Sequence, residues 1–334
     1  MRRPLRVIAG IVALALTASA CGGGEDRLTV YSGRTENLIG PLLEQFTDET
    51  GVEVDVRYGQ SADLALLISE EGDRTPADVF ISQSPGAVGL LAEEGRLATL
   101  ESTVLDLVEP EDQATDGTWV GLSGRVRVLV YNTELVDPDG LPESVLDLTA
   151  DEYEGDVAVA PENGSFQDFV TAMRSELGDD DTTAWLEAMA ANGAPGYANN
   201  TAIVEAVQRG EVSMGLVNHY YNLRALAEDA ASPTDNHAFG PRDIGSLRIV
   251  TAASVIQGSD RADEAEQLLA FLLSESAQEF FSAETLEYPL AAGVGPAEGV
   301  PPIAGLPVGS INVAELAGGL ARTLELISES GIGS

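Results

Sequence analysis

The sequence predicts an α/β fold of two lobes joined by crossing strands. Three observations lead there. From residue 28 to residue 94 strands and helices alternate as β-α-β-α-β-α, the pattern of a mostly parallel sheet with helices on both faces. A second alternating unit runs from residue 156 to residue 217. Two β-rich runs, 119–132 and 247–255, stand between and after these units. The first is long enough to cross from one domain to another, and the second reads as the return. At 334 residues the chain suffices for two domains, and 44% hydrophobic residues supports real cores.

The elements follow in order. Residues 28–31 make a first strand, and Ser32, Gly33 and Arg34 turn directly into a helix. Leu38, Ile39, Leu42, Leu43 and Phe46 share one face of that helix, and Gly51 stops it. Val52, Val54 and Val56 alternate with charged residues as a strand of period two. Ser61 reads as the cap of a helix reaching about Glu71. Residues 77–81 are a buried strand and 85–94 a helix; 100–117 are acidic and irregular. In the second unit, 156–160 and 212–217 read as strands. Residues 166–177, 182–192 and 201–209 read as helices, with 197–200 a strand end. Helices are expected at 261–273, 277–283 and 313–328, with a Pro/Gly-rich loop at 300–309.

The N-terminus has a different character. Arg2, Arg3 and Arg6 precede a short apolar run, 7–16, too short for a stable span. Thr17, Ala18, Ser19, Ala20 and Cys21 then lead into three glycines. This resembles a bacterial lipobox, with Ala18 where that pattern prefers leucine. It implies a signal peptide over 1–20, a lipidated Cys21 and a flexible tether over 21–26. The protein is then held at the outer face of the cytoplasmic membrane by its lipid alone. Cys21 is the only cysteine, so no intramolecular disulfide forms. The formal charge is −38, and all 17 basic residues are arginine. So acidic a surface argues against nucleic acid and anionic membrane faces, and it attracts cations.

The chain is arranged around Asn218, His219, Tyr220, Tyr221 and Asn222. They follow a buried strand and precede Leu223, Leu226 and Ala227, which space like a helix face. In a strand the two tyrosines would point to opposite faces. At a helix start, with Asn218 as N-cap, their hydroxyls can converge where the helix dipole favours negative charge. Two adjacent phenolates suit a hard cation such as ferric iron. The plainer reading is two amphipathic aromatics filling core.

Tyr31 to Arg34, Thr75 to Phe80, 119–131, Gly210 to Tyr221 and Glu287 to Leu290 together resemble the ferric-iron-binding solute receptors of ABC importers. These are bacterial transferrin-like members of the extracellular solute-binding proteins. The resemblance spans nearly all of the chain after residue 27. It implies a periplasmic-binding-protein-like fold with the ligand cleft between the lobes. The lobes would be 28–127 plus 252–302, and 128–251 plus 303–334. It implies Tyr220 and Tyr221 as metal ligands, an anion-contacting loop at Asn163, Gly164 and Ser165, and polar contacts at Asn200 and Asn218. The family's histidine falls on Thr35 and its glutamate on Gln83, so both accessory ligands are replaced. A synergistic carbonate, phosphate or citrate, steadied by Arg34 or by Arg125 or Arg127 of the 119–132 run, would complete Fe(III) coordination, with Glu36 the nearest acid. The partner implied is an ABC permease and the receptor a monomer.

Two other readings stand beside this one. A receptor of the same fold could take a small anionic or organic solute without metal, its acid group held by Arg34, Arg125 and the 163–165 loop. An enzyme finds little support: there is no Gly-x-Ser-x-Gly, no nucleotide-binding glycine loop, one cysteine and two histidines.

Overall fold

The computed structural model describes residues 27–291, 293–301 and 319–334. The expected signal peptide, Cys21 and the expected tether, the 302–309 part of the expected loop and the first turns of the expected last helix lie outside the described residues. The first unit is β1 (Leu28–Ser32), α1 (Glu36–Thr50), β2 (Val54–Tyr58), α2 (Ser61–Glu71), β3 (Val79–Ser82) and α3 (Pro85–Glu93). The five apolar residues of α1 read from the sequence are all buried, and Gly51 ends the helix at φ 75°, where other side chains are strained. Ser61 lies inside α2 and does not cap it. Its hydroxyl accepts the Gln83 amide instead, at 3.0 Å. A Cβ on Gly33 would stand 2.0 Å from that hydroxyl, so only glycine permits this approach.

A short α4 (Ser102–Leu105) leads to β4 (Val120–Asn132), then β5 (Val157–Ala158), α5 (Gly164–Leu177), α6 (Asp179–Ala191), α7 (Asn200–Gln208), β6 (Met214–Asn218) and α8 (His219–Glu228). After β7 (Thr234–His237) come β8 (Arg248–Val255), α9 (Ala262–Leu272), α10 (Glu275–Ala283), β9 (Tyr288–Pro289) and α11 (Leu320–Ser330). The strands β7 and β9 escaped the sequence reading. The strand expected over 156–160 contracts to β5, with Val159 bridging Gly196.

The sheet order is β2-β1-β3-β8-β4-β6-β5, with β7 and β9 also on β4. β1 pairs in parallel with β2 and β3, and β5 with β6. β4 belongs to both halves. Val120 to Val126 pair with β8, while Arg127 to Tyr131 pair with β6. One core, with Ile39, Phe46, Phe80, Trp119 and Leu268, surrounds β1 to β3. A second, with Leu129, Phe169, Trp185, Met214 and Leu247, lies beyond the handover. The fold is therefore two α/β lobes on crossing strands. α11 touches both: Leu320 joins the first core, and Leu326 and Ile327 the second.

Candidate functional site

The tyrosines sit where the sequence places them, at the β6–α8 junction. Tyr220 is buried and Tyr221 partly so; their rings stack with centroids 4.2 Å apart. Asn218 occupies the N-cap position, but its side chain does not cap. It donates to the Ser165 hydroxyl at 3.0 Å and receives Arg127 at 3.4 Å. The Ser165 hydroxyl in turn donates to Asn163 at 2.6 Å. The helix start is thus tied sideways to the start of α5, where Asn163 caps the Ser165 amide.

Three arginines surround the phenols, each 1% exposed. Arg34 grips Glu287 with two bonds, 3.0 and 2.6 Å, and also donates to Thr251 at 2.7 Å. Glu287 further accepts the hydroxyls of Ser123 and Thr285. Burial alone would raise the Glu287 pKa, yet Arg34, joined by Arg125 and the Thr285 hydroxyl, outweighs it and holds the carboxyl below its ordinary range. Arg125 is anchored by one bond to Thr251, 3.0 Å, leaving its Nε and second Nη without partners. One Arg127 Nη is likewise unpartnered. Burial and then the neighbouring Arg125 lower the Arg127 pKa to about 9. Asp168, fully buried between these arginines and α3, is pushed up to about 7 by burial despite the pull of Arg125. The Ser84 hydroxyl and Gly86 amide lie beside it, but neither oxygen meets a donor in full hydrogen-bonding geometry.

Burial raises the Tyr220 pKa well above that of a free phenol, and Tyr221 and Glu287 add to this; Arg125 and Arg34 oppose it. Between the lobes opens a cavity of about 960 Å³. Arg34, Thr35 and Gln83 line it from the first lobe, Asn163 and Tyr221 from the second. The Thr35 hydroxyl is turned to Asn37 at 2.6 Å, and the Gln83 amide nitrogen to the Gly33 carbonyl at 2.6 Å. Gly164 packs against Ser84 at the start of α3, and a Cβ on it would stand 3.6 Å from the Ser84 hydroxyl. Asn200, fully buried at the start of α7, has neither amide atom partnered. Glu36 is exposed on the first turn of α1.

Residues with charged roles at the site escaped the sequence reading. Glu287 stood in a quoted motif, but its partner Arg34 is 253 positions away. Asp168 carried a detectable signal, an acid one turn after Ser165 on an apolar helix face. Among the described residues, no three His, Cys, Asp or Glu side chains gather as a metal group. No described helix is long and apolar enough to cross a membrane.

Residues 74–303 match the model for the bacterial extracellular solute-binding protein family. The "Major ferric iron-binding protein" of Neisseria meningitidis is 32% identical over 89% of this chain and 90% of its own. Iron-bound HitA of Pseudomonas aeruginosa superposes with a TM-score of 0.87 at 35% identity, over 92% of this chain and all of that one. A Trichodesmium IdiA (FutA), solved with iron and citrate, superposes at 0.77 with 27% identity, over 91% of this chain and 99% of its own.

Proposed function

The chain belongs to the bacterial extracellular solute-binding protein family, and from that premise we propose that it is a ferric-iron receptor using Tyr220 and Tyr221 as metal ligands. The family carries solutes and is not enzymatic; its members deliver them to ABC permeases, and such a permease is the partner proposed here. One observation carries the iron reading: two stacked phenols at a helix start, within a shell of three buried guanidiniums, beside the cleft between the lobes. Relatives named for ferric iron support it. The lobes are taken as 28–127 with 252–302 and 128–251 with 303–334, and the receptor as a monomer.

A synergistic anion belongs to this proposal. Two phenolates leave most of the roughly six positions of a hard trivalent ion unfilled. Thr35 and Gln83 add no charge. The buried, unpartnered donors of Arg125 and Arg127 call for an acceptor, because an orphaned guanidinium N–H is costly inside a protein. Carbonate, phosphate or citrate would supply it, with the Asn163, Gly164 and Ser165 loop, Arg34, Asn200 and Asn218 as further contacts. Ferric titrations of wild type and Arg125→Met, with and without each anion, test this. Coupling of roughly 5–150-fold is expected in wild type and little in the variant. Equal affinity with no anion present would remove the anion from the site. A wild type that stays colourless with every anion would favour a small anionic or organic solute without metal instead.

The lipid anchor is proposed from Cys21, which lies outside the described residues. Cys21→Ala is expected to move the protein from the membrane fraction to the medium. If the variant stays with the membrane, the anchor is something else.

A further inference from the structure

His219 precedes Tyr220, is 4% exposed and touches four parts of the fold. The Val126 amide donates to its Nδ1 at 3.2 Å. That nitrogen must offer a lone pair, so the proton sits on Nε2. Nε2 then donates to the Leu286 carbonyl at 3.0 Å. The ring stacks on Tyr288 at 4.9 Å and meets Tyr220 edge-on at 5.9 Å. Asn236 donates to the His219 carbonyl at 2.9 Å, fixing its backbone as well.

The place of these contacts gives them meaning. Along one edge of β4, pairing with β9 stops at Gly124 and pairing with β6 starts at Arg127. The Val126 amide falls in the gap, with no ladder partner there. A buried amide needs an acceptor. The imidazole supplies it and bridges from the second lobe's α8 to the first lobe's 286–288 segment. Leu286, at φ 58°, turns the chain so that its carbonyl meets the ring while the next residue, Glu287, holds Arg34. The ring thus joins the start of α8, the crossing strand and the carboxylate that orders the arginine shell.

We infer that His219 is a positioning residue for the tyrosine site, bridging the lobes as the Nε2–H tautomer and setting where Tyr220 stands relative to the first lobe. The inference rests on the ferric reading for its metal readout but not for its geometry. Substitution of residues that orient metal ligands typically weakens binding roughly 10–100-fold. His219→Phe keeps the aromatic stack and removes both nitrogens. It is expected to weaken ferric binding by about that factor and to shift the phenolate-to-iron band. His219→Gln, which keeps one acceptor and one donor, should recover part of both. Iron-free protein gives the second arm. Nitrogen NMR of wild type should find Nδ1 unprotonated and Nε2 protonated, and small-angle scattering should find His219→Phe more open than wild type. If His219→Phe does not fold, His219→Gln and the wild-type tautomer still decide. An Nδ1–H tautomer overturns the inference, as does a folded His219→Phe with unchanged affinity, band and scattering. A wild type that gives no band, yet has the expected tautomer and opens on His219→Phe, would sink the ferric reading and leave the positioning role standing.

Discussion

Tyr220→Phe or Tyr221→Phe is expected to abolish the phenolate-to-iron band or weaken it severely. On the proposed reading the phenol oxygens are the donors the second lobe offers the metal, and a phenyl ring replaces each without changing its shape. Tyr220 also sets the expected pH dependence. Tyr220 is held protonated by its burial, so iron bound through it as proposed would have to displace a proton. Tyr220 would therefore release one proton on binding a metal at neutral pH. Affinity should therefore fall as pH falls, by roughly tenfold per pH unit for each proton released. A titration across pH 6 to 8 on wild type and both variants checks this. Tyr220→Phe should lose one proton from the slope along with the colour. Unchanged iron binding in both variants would falsify the ferric assignment.

The second large effect is on folding. Arg34 and Glu287 form a fully buried, two-bond ion pair. Removing one partner of such a pair typically costs about 3–5 kcal/mol, because the other charge stays buried alone. Glu287→Ala is expected to lose stability on that scale, read as a lower urea midpoint. Arg34→Met with Glu287→Leu should recover most of it, since neither charge then remains. The pH sign follows from the depressed Glu287 pKa. Its stabilisation is fully present above the ordinary carboxylate range and disappears as pH falls through the folded-state value. Wild type should thus lose this part of its acid stability more steeply than the double variant. A Glu287→Ala midpoint within error of wild type would mean the pair contributes nothing to the fold.

Much of this architecture is readable along the chain. The α1 face, its glycine stop and the junction at Tyr220 are local patterns, and local periodicity reports local structure well. The handover within β4 was implied by its length. What escaped is non-local. Nothing in the neighbours of Arg34 points to Glu287, and nothing near Asn218 says that Ser165 will draw its side chain from the cap. Ser61 carried a correct helix-start signal, but the chain placed its hydroxyl under Gln83. β7 and β9 are four and two residues long, too short for any period to register. Arg125 and Arg127, two apart on one strand, share a face; the spacing marked both but could not say how much of each would stay unpaired.

β4 has a mechanical consequence. In a pair of pliers the rivet barely travels while the tips sweep. Arg125 and Arg127 sit on the rivet, at the point where one strand changes lobes. Thr35 and Gln83 belong to one jaw, Tyr221 and Asn163 to the other. Were the jaws to part, the guanidiniums would keep their spacing from each other while the groups on the jaws separated. On the anion-dependent reading proposed above, such an opening would leave the positive seat whole, and the anion would bind ahead of the metal.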